Sequence, residues 1–348
     1  MTITRLSAFL LMATSLGSTA GAAESIETLL ARTPHKLLCE GYANNNWELF
    51  IMNADGAKLQ NLTNTADSHE VYPQASPDGS MIAFLSDVGT GRTTVRSLWV
   101  MDVNGENRRK IADYARQPFW APDSKTIAYL PQEFKKFNEI DYSTKGMVFH
   151  DLETGKDRPH PNSGKIHHLY NPGFSPDGKW IVATVHSGMG LGHGNLLIEA
   201  DGERIVNLKM RGCRPTFSPS GKFLAWGPGD HEIKVAEVDW SGDLPALGKT
   251  RLQIFHKKDK IYHVDWCPNE QFLTLSQGKP GKGNPAKPGT YEAASEIVGV
   301  HADGWNIVAV AIGDGGKVDL QDPPSERVLQ LTSEGRSFKE SEWIPVKE

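Results

Sequence analysis

Cysteine is scarce in this sequence of 348 residues, which contains only Cys39, Cys213 and Cys267. None of the three belongs to a Cys-x-x-Cys pair, so the spacing typical of a structural zinc site is absent. An odd number of thiols leaves at least one unpaired, and the sequence assigns no disulfide to the other two. We therefore expect the packing of a large core, rather than a disulfide framework, to hold the fold together.

Clustered positive charge is also missing. The chain has 37 Lys and Arg against 42 Asp and Glu, a net charge of −5, and no Lys/Arg stripe. Because neutralisation of phosphates supplies most of the affinity for nucleic acids, we expect no nucleic-acid partner. Two familiar catalytic motifs are absent as well, the Gly-x-Ser-x-Gly elbow of serine hydrolases and the His-Glu-x-x-His zinc motif. These absences favour a binding scaffold over an enzyme.

Long apolar runs are lacking, and the one short run lies at the N-terminus. Arg5 precedes the apolar stretch 6–16, and small residues follow at positions 19–23. This order is typical of a secretory signal peptide, and the apolar run is too short to span a bilayer comfortably. We expect residues 1–23 to be a signal peptide and residues 24–35 a short linker. The mature protein is then periplasmic or secreted, without a transmembrane anchor.

Glycine and proline are plentiful, with 34 and 21 residues, and many of them recur in one repeated pattern. The clearest copy, residues 71–79, reads VYPQASPDG and is followed by the apolar stretch MIAFL. Pro presets the backbone for a turn, Asp bonds its own backbone, and Gly accepts a positive φ, so each copy predicts a hairpin. The prolines that anchor the six copies are Pro77, Pro122, Pro176, Pro219, Pro268 and Pro345.

The spacing of these copies predicts the fold. The first five prolines are 45, 54, 43 and 49 residues apart, which suits one four-stranded blade per copy. The sixth copy, KESEWIP at 339–345, ends three residues before the C-terminus, and strands that would complete its blade begin near Lys36. We therefore predict an all-β fold, a six-bladed β-propeller over residues 36–348. Pairing of the C-terminal inner strand with the N-terminal strands would close the ring.

The repeated pattern resembles the WD-like repeats of TolB-type propellers. The resemblance covers about residues 36 to 348 and rests on the Pro-x-aromatic-Ser-Pro-Asp-Gly element, the apolar strand after it and a second turn such as Asp55-Gly56. Only residues 24–35 separate the predicted leader from the first strand, so the N-terminal domain of TolB itself is not part of the resemblance. Because the repeats use the whole of this range and no catalytic set is recognisable, we expect a TolB-like monomer that binds an envelope protein, a peptide or a glycan at the channel mouth or on one face.

Two columns stand out when the copies are aligned on their prolines. Two residues before the proline, the side chains are mostly large and aromatic, which favours packing between blades: Ala75, Trp120, Phe174, Phe217, Trp266 and Trp343. Five residues before it, every side chain is polar or has a polar tip: Tyr72, Gln117, Asn171, Arg214, His263 and Glu340. We expect these six to meet at one mouth of the central channel and to bind a ligand there. A water-filled channel that is merely lined by polar groups is the alternative.

Histidine supports a second functional interpretation. Oligogalacturonate lyases, a propeller relative, use histidines to hold a metal, and among the 12 histidines His168 and His263 lie near the starts of inner strands. This relation implies a metal-assisted polysaccharide lyase that works through the histidines and Arg214. The histidines lack the spacing of a known metal motif. We therefore expect no cofactor for the binding scaffold, and a divalent metal only for the lyase alternative.

Overall fold

The computed structural model describes residues 24–281, 294–333 and 336–346, so the predicted signal peptide lies outside the described residues. The described chain begins with helix α1 (Ile26–Ala31), and two short 3-10 turns lie at Gly91–Thr93 and Ala294–Glu296. None of the helices in these ranges is long and apolar enough to cross a membrane. Everything else that is regular is β-strand.

The strands form six sheets, each of which is one blade. Blade 6 contains the first three strands, β1 (Lys36–Ala43), β2 (Asn46–Asn53) and β3 (Gln60–Asn61). Blade 1 contains β4 (Ser68–Ala75), β5 (Met81–Val88), β6 (Val95–Asp102) and β7 (Arg109–Asp113). Blade 2 contains β8 (Ala115–Trp120), β9 (Thr126–Pro131), β10 (Val148–Asp151) and β11 (Asp157–Pro159). Blade 3 contains β12 (Leu169–Phe174), β13 (Trp180–His186), β14 (His193–Glu199) and β15 (Ile205–Asn207).

The remaining strands complete the ring. Blade 4 contains β16 (Cys213–Phe217), β17 (Phe223–Gly229), β18 (Glu232–Asp239) and β19 (Ala246–Phe255). Blade 5 contains β20 (Lys260–Trp266), β21 (Phe272–Gly278), β22 (Asn306–Ala311) and the outer strand β24 (Val328–Gln330). Between β22 and β24 the chain forms β23 (Gly316–Asp319), which is a fifth strand of blade 4. The last strand, β25 (Ser337–Ile344), is the inner strand of blade 6.

Blade 6 joins the two ends of the described chain. β25 pairs antiparallel with β1, from Lys36 opposite Ile344 to Tyr42 opposite Ser337. The prediction of an all-β propeller with six blades is confirmed. β23 pairs in parallel with β19, so the long connection of blade 5 reaches back over blade 4.

The Ser-Pro-Asp-Gly turns form as the sequence predicts. In the first copy, the Asp78 carboxylate accepts hydrogen bonds from the Ser76 hydroxyl at 2.7 Å and from the Ser80 N–H at 3.0 Å. Gly79 has a φ of +73°, and a Cβ there would lie 1.8 Å from the carbonyl oxygen of Pro345. Glycine is therefore required both by the backbone and by the close contact with the end of blade 6.

The core is divided into six apolar clusters. Five are shared by two neighbouring blades, and the sixth joins blades 1 and 2 with Trp47 of blade 6. Every member of the aromatic column takes part: four are buried in a cluster, and Phe174 and Phe217 pack against one. The prediction that this column packs between blades is confirmed. Trp120 and Trp266 also donate their indole N–H groups to carbonyls of the preceding blade, those of Gln74 at 2.9 Å and Thr216 at 3.3 Å.

The segment predicted as a linker contains helix α1. Ser25 caps it by accepting a hydrogen bond from the N–H of Thr28 at 3.3 Å. Ile26 and Leu30 are buried and belong to the cluster that blades 5 and 6 share. The helix therefore anchors this segment to the junction where the ring closes. Elsewhere, Cys39, Cys213 and Cys267 are all free thiols, in keeping with a fold held by its core.

Substitution of Phe338 tests how much the packing of β25, the strand that closes blade 6, contributes to stability. Its side chain is 1% exposed and packs edge-on against Phe50, with ring centroids 5.6 Å apart. We expect Phe338→Ala to lower the free energy of unfolding by about 3–5 kcal/mol, because it leaves a cavity between β25 and its neighbours. The measurement is urea unfolding. Phe134, which is 57% exposed, provides the matched control, and Phe134→Ala should change stability by less than about 0.5 kcal/mol. Equal losses in the two variants would contradict this role for β25.

Candidate functional site

Each inner strand contains a β-bulge at the column of polar residues. In β4 the register against β5 shifts between Val71 and Gln74, and equivalent shifts occur in the other five inner strands. The first bulge residue always has a positive φ, between 46° and 56°, in the set Tyr72, Gln117, Asn171, Arg214, His263 and Glu340. This backbone region is uncommon for residues other than glycine and costs on the order of 1 kcal/mol or more each. The bulge turns the side chain out of the strand's normal alternation and toward the axis.

Side chains of the preceding blade hold four of these bulges in place. The N–H of Tyr72 donates to Glu40 at 3.1 Å, and that of Asn171 donates to the side-chain oxygen of Gln117 at 2.8 Å. Two more bulge N–H groups donate to hydroxyls in the same way: Arg214 to Thr184 at 2.8 Å and Glu340 to Ser276 at 3.1 Å. Neighbouring blades are therefore locked together close to the axis.

The polar column converges around Arg214. Its guanidinium donates to Asn171 Oδ1 at 2.9 Å and lies 3.8 Å from Glu340 Oε1. Asn171 in turn donates to the Tyr72 hydroxyl at 3.4 Å, and His263 Nε2 lies 2.8 Å from Glu340 Oε1. Five of the six predicted residues thus form one connected cluster, and the sixth, Gln117, reaches it through the Asn171 backbone.

Two irregular segments cover this cluster on one side, and both are bound by buried cations. Lys339, which is 0% exposed, donates to the carbonyls of Ser295, Ile297 and Val300 at 2.7–3.1 Å. Arg116 donates to the carbonyl of Ile140 at 3.0 Å, in the connection between β9 and β10. We name residues 295–300 and 138–144 the cap segments. Because they cover the predicted mouth, the polar column forms a closed end of the channel.

Asp141, in the second cap segment, completes the charge arrangement. Its carboxylate lies 3.2 Å from Arg214 Nη2, and both side chains are at most 6% exposed. Burial raises the pKa of Asp141, although the Arg214 charge acts in the opposite direction. Burial likewise raises the pKa of Glu340, to about 7, against the influence of Arg214 and Lys339. Arg214 is therefore shared by two carboxyl groups, and the cluster holds a proton near neutral pH.

His263 is fully engaged within the cluster. Besides its contact with Glu340, its Nε2 lies 2.8 Å from the carbonyl of Glu296, and its Nδ1 lies 3.1 Å from the Ser276 hydroxyl. Burial, and then the positive charge of Arg214, lowers its pKa well below the usual value for histidine. His263 is therefore neutral at physiological pH.

On its other side the cluster forms the floor of a funnel of about 500 Å³ along the axis. The six anchoring prolines line the funnel, so it opens at the face of the Ser-Pro-Asp-Gly turns. Its walls are largely aromatic, formed by Phe119, Trp120, Phe174, Phe217, Trp266 and Trp343. Five of the predicted residues also line it, and Gln117 does not. Apolar walls above a few convergent polar groups are typical of a ligand site.

Three residues of this region were not predicted. Asp265 and Glu342 occupy equivalent positions three residues before their prolines and line the funnel. That column of the repeat alignment reads Gln74, Phe119, Gly173, Thr216, Asp265 and Glu342, so two acids in successive copies were a visible signal. Asp141 has no counterpart in the repeats. Asp141 lies between Pro122 and Pro176, and their spacing of 54 residues, the longest of the four, was the one sign in the sequence of an extra segment in this blade.

The two predicted metal ligands are not brought together. His168 Nε2 lies 3.0 Å from Glu133 Oε2, and its Nδ1 lies 3.0 Å from the carbonyl of Ser187. His263 instead contacts Glu340, Ser276 and Glu296. Over the ranges that the structure covers, no group of three or more His, Cys, Asp or Glu side chains is arranged to hold a metal ion.

Sequence comparisons give weak matches to peptidases. No protein-family model matches the chain. The uncharacterized peptidase YuxL of Bacillus subtilis is 26% identical over an alignment of 148 positions, which covers 33% of this chain and 21% of that protein. Dipeptidyl-peptidase 5 of Porphyromonas gingivalis is 26% identical over 118 residues, which are 32% and 17% of the two chains. The matched part spans about a fifth of the length of these relatives.

Structural comparisons extend over more of the chain. Hydrazine synthase of Kuenenia stuttgartiensis has a TM-score of 0.55 and 10% identity, covering 89% of this chain and 46% of that one. An oligogalacturonate lyase in complex with manganese has a TM-score of 0.47 and 15% identity, covering 81% and 72%. A structure assigned as TolB from Agrobacterium tumefaciens has a TM-score of 0.35 and 16% identity, covering 64% and 90%. These likenesses concern the fold alone: the chain is a six-bladed β-propeller with TolB and oligogalacturonate lyase among its structural neighbours.

Arg214 is expected to be essential for the stability of the axis. Arg214→Met leaves Asp141 and Glu340 buried without their cation, so we expect a loss of about 3–5 kcal/mol in the free energy of unfolding at pH 8. Urea unfolding measures it. The matched control is Arg204→Met, since the Arg204 side chain is 53% exposed and its contact with Glu199 is a surface pair at 3.4 Å. The control should lose less than about 1 kcal/mol. A similar loss at both positions would contradict the assigned role.

Asp265 should make stability fall as the pH rises. Burial raises its pKa to about 7, so the folded chain binds this proton more tightly than the unfolded chain does. Its contribution is complete below the ordinary aspartate pKa and is lost as the pH rises from about 4 to about 7, by up to about 1.4 kcal/mol per pH unit. Asp265→Asn removes this dependence. Wild type should therefore lose stability relative to the variant as the pH rises over that interval.

Asp239→Asn is the control for this titration. Asp239 is exposed, and the Ser241 N–H lowers its pKa, so its effect has the opposite sign and is confined to lower pH. Unfolding curves measured at half-unit pH steps decide the matter. If wild type and Asp265→Asn stay parallel between pH 4 and pH 7, Asp265 does not titrate in the funnel as described.

Proposed function

We propose that this protein is an exported, non-catalytic β-propeller that binds a peptide segment, as a projecting part of an envelope protein, in the axial funnel. The observation that carries the proposal is the funnel itself, with aromatic walls above a floor of buried polar groups. The signal-like residues 1–23 support export to the periplasm or beyond the cell.

The size of the funnel selects a narrow ligand. A volume of about 500 Å³ lies within the ordinary range for small-ligand pockets and admits a few residues of extended chain rather than a folded domain. Tryptophan and phenylalanine in the walls offer large contact areas at little cost in side-chain entropy, and such residues dominate the energy of peptide and protein recognition. A loop or chain end of a partner fits these dimensions.

The polar groups of the funnel suit a main chain, which carries both donors and acceptors. The indole N–H of Trp343 and the hydroxyl of Ser341 are buried without a partner among the described residues, and both residues line the funnel. Asp265 and Glu342 supply acceptors close by. The carbonyl groups of a bound peptide would accept hydrogen bonds from the unpartnered donors, and its N–H groups would donate to the carboxyl acceptors.

The closed end supports binding rather than catalysis. A general base must be free to take a proton from the ligand, but both ring nitrogens of His263 already contact protein groups. Arg214 is equally committed, to Asn171, Asp141 and the carbonyl of Glu296. The lyase alternative would need His168 and His263 to share a metal, whereas their contacts lie in two separate places.

Gly173 allows the funnel to be blocked without disturbing the blade. It lies in β12, lines the funnel, and a Cβ built on it meets no atom within 4 Å. Its φ is not positive, so a larger residue fits the backbone. We expect Gly173→Trp to fold as wild type and to fill the site. Binding of the tightest member of a random hexapeptide library with free amino termini, measured by calorimetry, should weaken at least ten-fold.

The control is Gly164→Trp, the same substitution at an exposed glycine where a Cβ is also unobstructed. It should bind the hexapeptide like wild type. If the hexapeptide still binds the Gly173→Trp variant, the site lies elsewhere. If wild type binds oligosaccharides but no hexapeptide, the ligand is a glycan. Turnover of a polysaccharide by protein loaded with manganese, zinc or calcium would overturn the non-catalytic proposal in favour of the lyase.

A further inference from the structure

Two carboxyl groups in the funnel wall have no cationic partner in the described parts of the chain. Asp265 accepts a hydrogen bond from the N–H of Trp343 at 2.8 Å, and Glu342 lies 3.5 Å from the side-chain amide of Gln74. They belong to blades 5 and 6, which are neighbours, and after burial the charge of Asp265 is the next cause that raises the pKa of Glu342. An acidic pair of this kind in a recess is unusual without a compensating charge.

The cations around the pair are committed to other groups. Arg214 binds Asp141 and Asn171 and lies beside Glu340. Lys339 binds three carbonyls of a cap segment and lies 3.8 Å from Glu40. The other titratable groups that interact with the charges of the pair are the carboxyl of Glu340, the hydroxyl of Tyr72 and the thiol of Cys267. The neutral imidazole of His263 lines the same funnel. The pair therefore has no compensating positive charge, among the described residues, on the side that faces the funnel.

A second observation shows that the same surface lacks a ligand group. Trp343 and Ser341 are only 3% and 4% exposed, yet the indole Nε1 and the hydroxyl have no partner among the described residues. In the equivalent positions of other blades, the indoles of Trp120 and Trp266 donate to backbone carbonyls. Trp343 thus has a buried donor that requires an acceptor, next to two carboxyl groups that require a cation.

We propose that Asp265 and Glu342 bind the free amino terminus of the peptide, while its first carbonyl accepts the hydrogen bond of the Trp343 indole. A terminal ammonium with an adjacent carbonyl provides both the cation and the acceptor that this surface lacks. This assignment rests on the proposed function, since it names the end of the peptide that enters the funnel. A guanidinium or a bare metal ion would satisfy the carboxylates but not the indole.

The titration of the pair fits this assignment. Burial raises the pKa of Asp265 to about 7, and burial followed by the charge of Asp265 raises the pKa of Glu342 well above its usual value. The empty pair therefore retains a proton at neutral pH. A bound ammonium would favour ionisation of both groups, so binding releases a proton from the pair.

Acetylation of the peptide tests the proposal directly. The tightest hexapeptide of the free-terminus library is made twice, once with a free and once with an acetylated amino terminus, and both are measured by calorimetry. We expect acetylation to weaken binding at least ten-fold. Glu342→Gln should weaken binding of the free peptide at least ten-fold and leave the acetylated peptide unchanged, whereas Glu203→Gln, at an exposed carboxylate, should change neither.

The pH profile identifies the kind of amine. Affinity for the free peptide should rise toward pH 7 as the pair ionises and fall above about pH 8 as the amino terminus loses its proton, whereas a lysine side chain would bind up to about pH 10. Equal affinities for the two peptides, or an alkaline limit near pH 10, would overturn the proposal. If Gly173→Trp still blocks binding in that case, the funnel site stands without the amine pocket. If Gly173→Trp has no effect on either peptide, the proposed function itself fails.

Discussion

The left-handed bulge in each inner strand is the constraint on which the centre of the ring depends. A regular strand would point alternate side chains to the two faces of its blade, and none of them would be directed toward the axis. The bulge inserts one extra residue, and its positive φ turns that side chain toward the axis in all six blades. Six such residues cost several kcal/mol together, on the order of 1 kcal/mol each. Their repetition shows that neighbouring blades compensate for the strain, as the contacts of Glu40, Gln117, Thr184 and Ser276 with the next bulge indicate.

Buried charge then closes one end of the channel. Lys339, Arg116 and Arg214 lie on inner strands, and each binds a carbonyl or carboxyl group of a cap segment. A plug of apolar side chains would be at least as stabilising, because charges lose their hydration on burial. Charged groups instead fix the positions of the cap segments, because each cation forms directional hydrogen bonds that require oxygen atoms at defined positions. The cap segments are therefore held in one arrangement although they contain little regular structure.

The sequence was sufficient to predict the blades and the polar column, which repeat, and insufficient to predict the cap segments, which do not. The proline spacing predicted six blades, and the polar column predicted that Arg214, His263 and Glu340 would meet, because equivalent positions of a ring must face the same axis. The closed end was not predictable, because the cap segments have no counterpart in the other copies. The left-handed conformation was equally hidden. Sequence rules assign it to glycine, whereas here it falls on residues such as Tyr72 and Arg214, in which the surrounding blades override local preference.

Divergence between blades is what makes such a ring useful. Six identical blades would offer six identical contacts, and a peptide, which has direction and two different ends, could not be oriented by them. The column three residues before each proline breaks this symmetry. Phe119 and Gly173 make one part of the wall apolar or open, whereas Asp265 and Glu342 make another part acidic. Glu342 lies on β25, whose register is fixed by its pairing with β1. Asp265 lies on β20 of the neighbouring blade and accepts a hydrogen bond from the N–H of Trp343 on β25. Closure of the ring therefore brings Glu342 on β25 next to Asp265 on β20, so β25 contributes both to the stability of the fold and to the acidic part of the funnel.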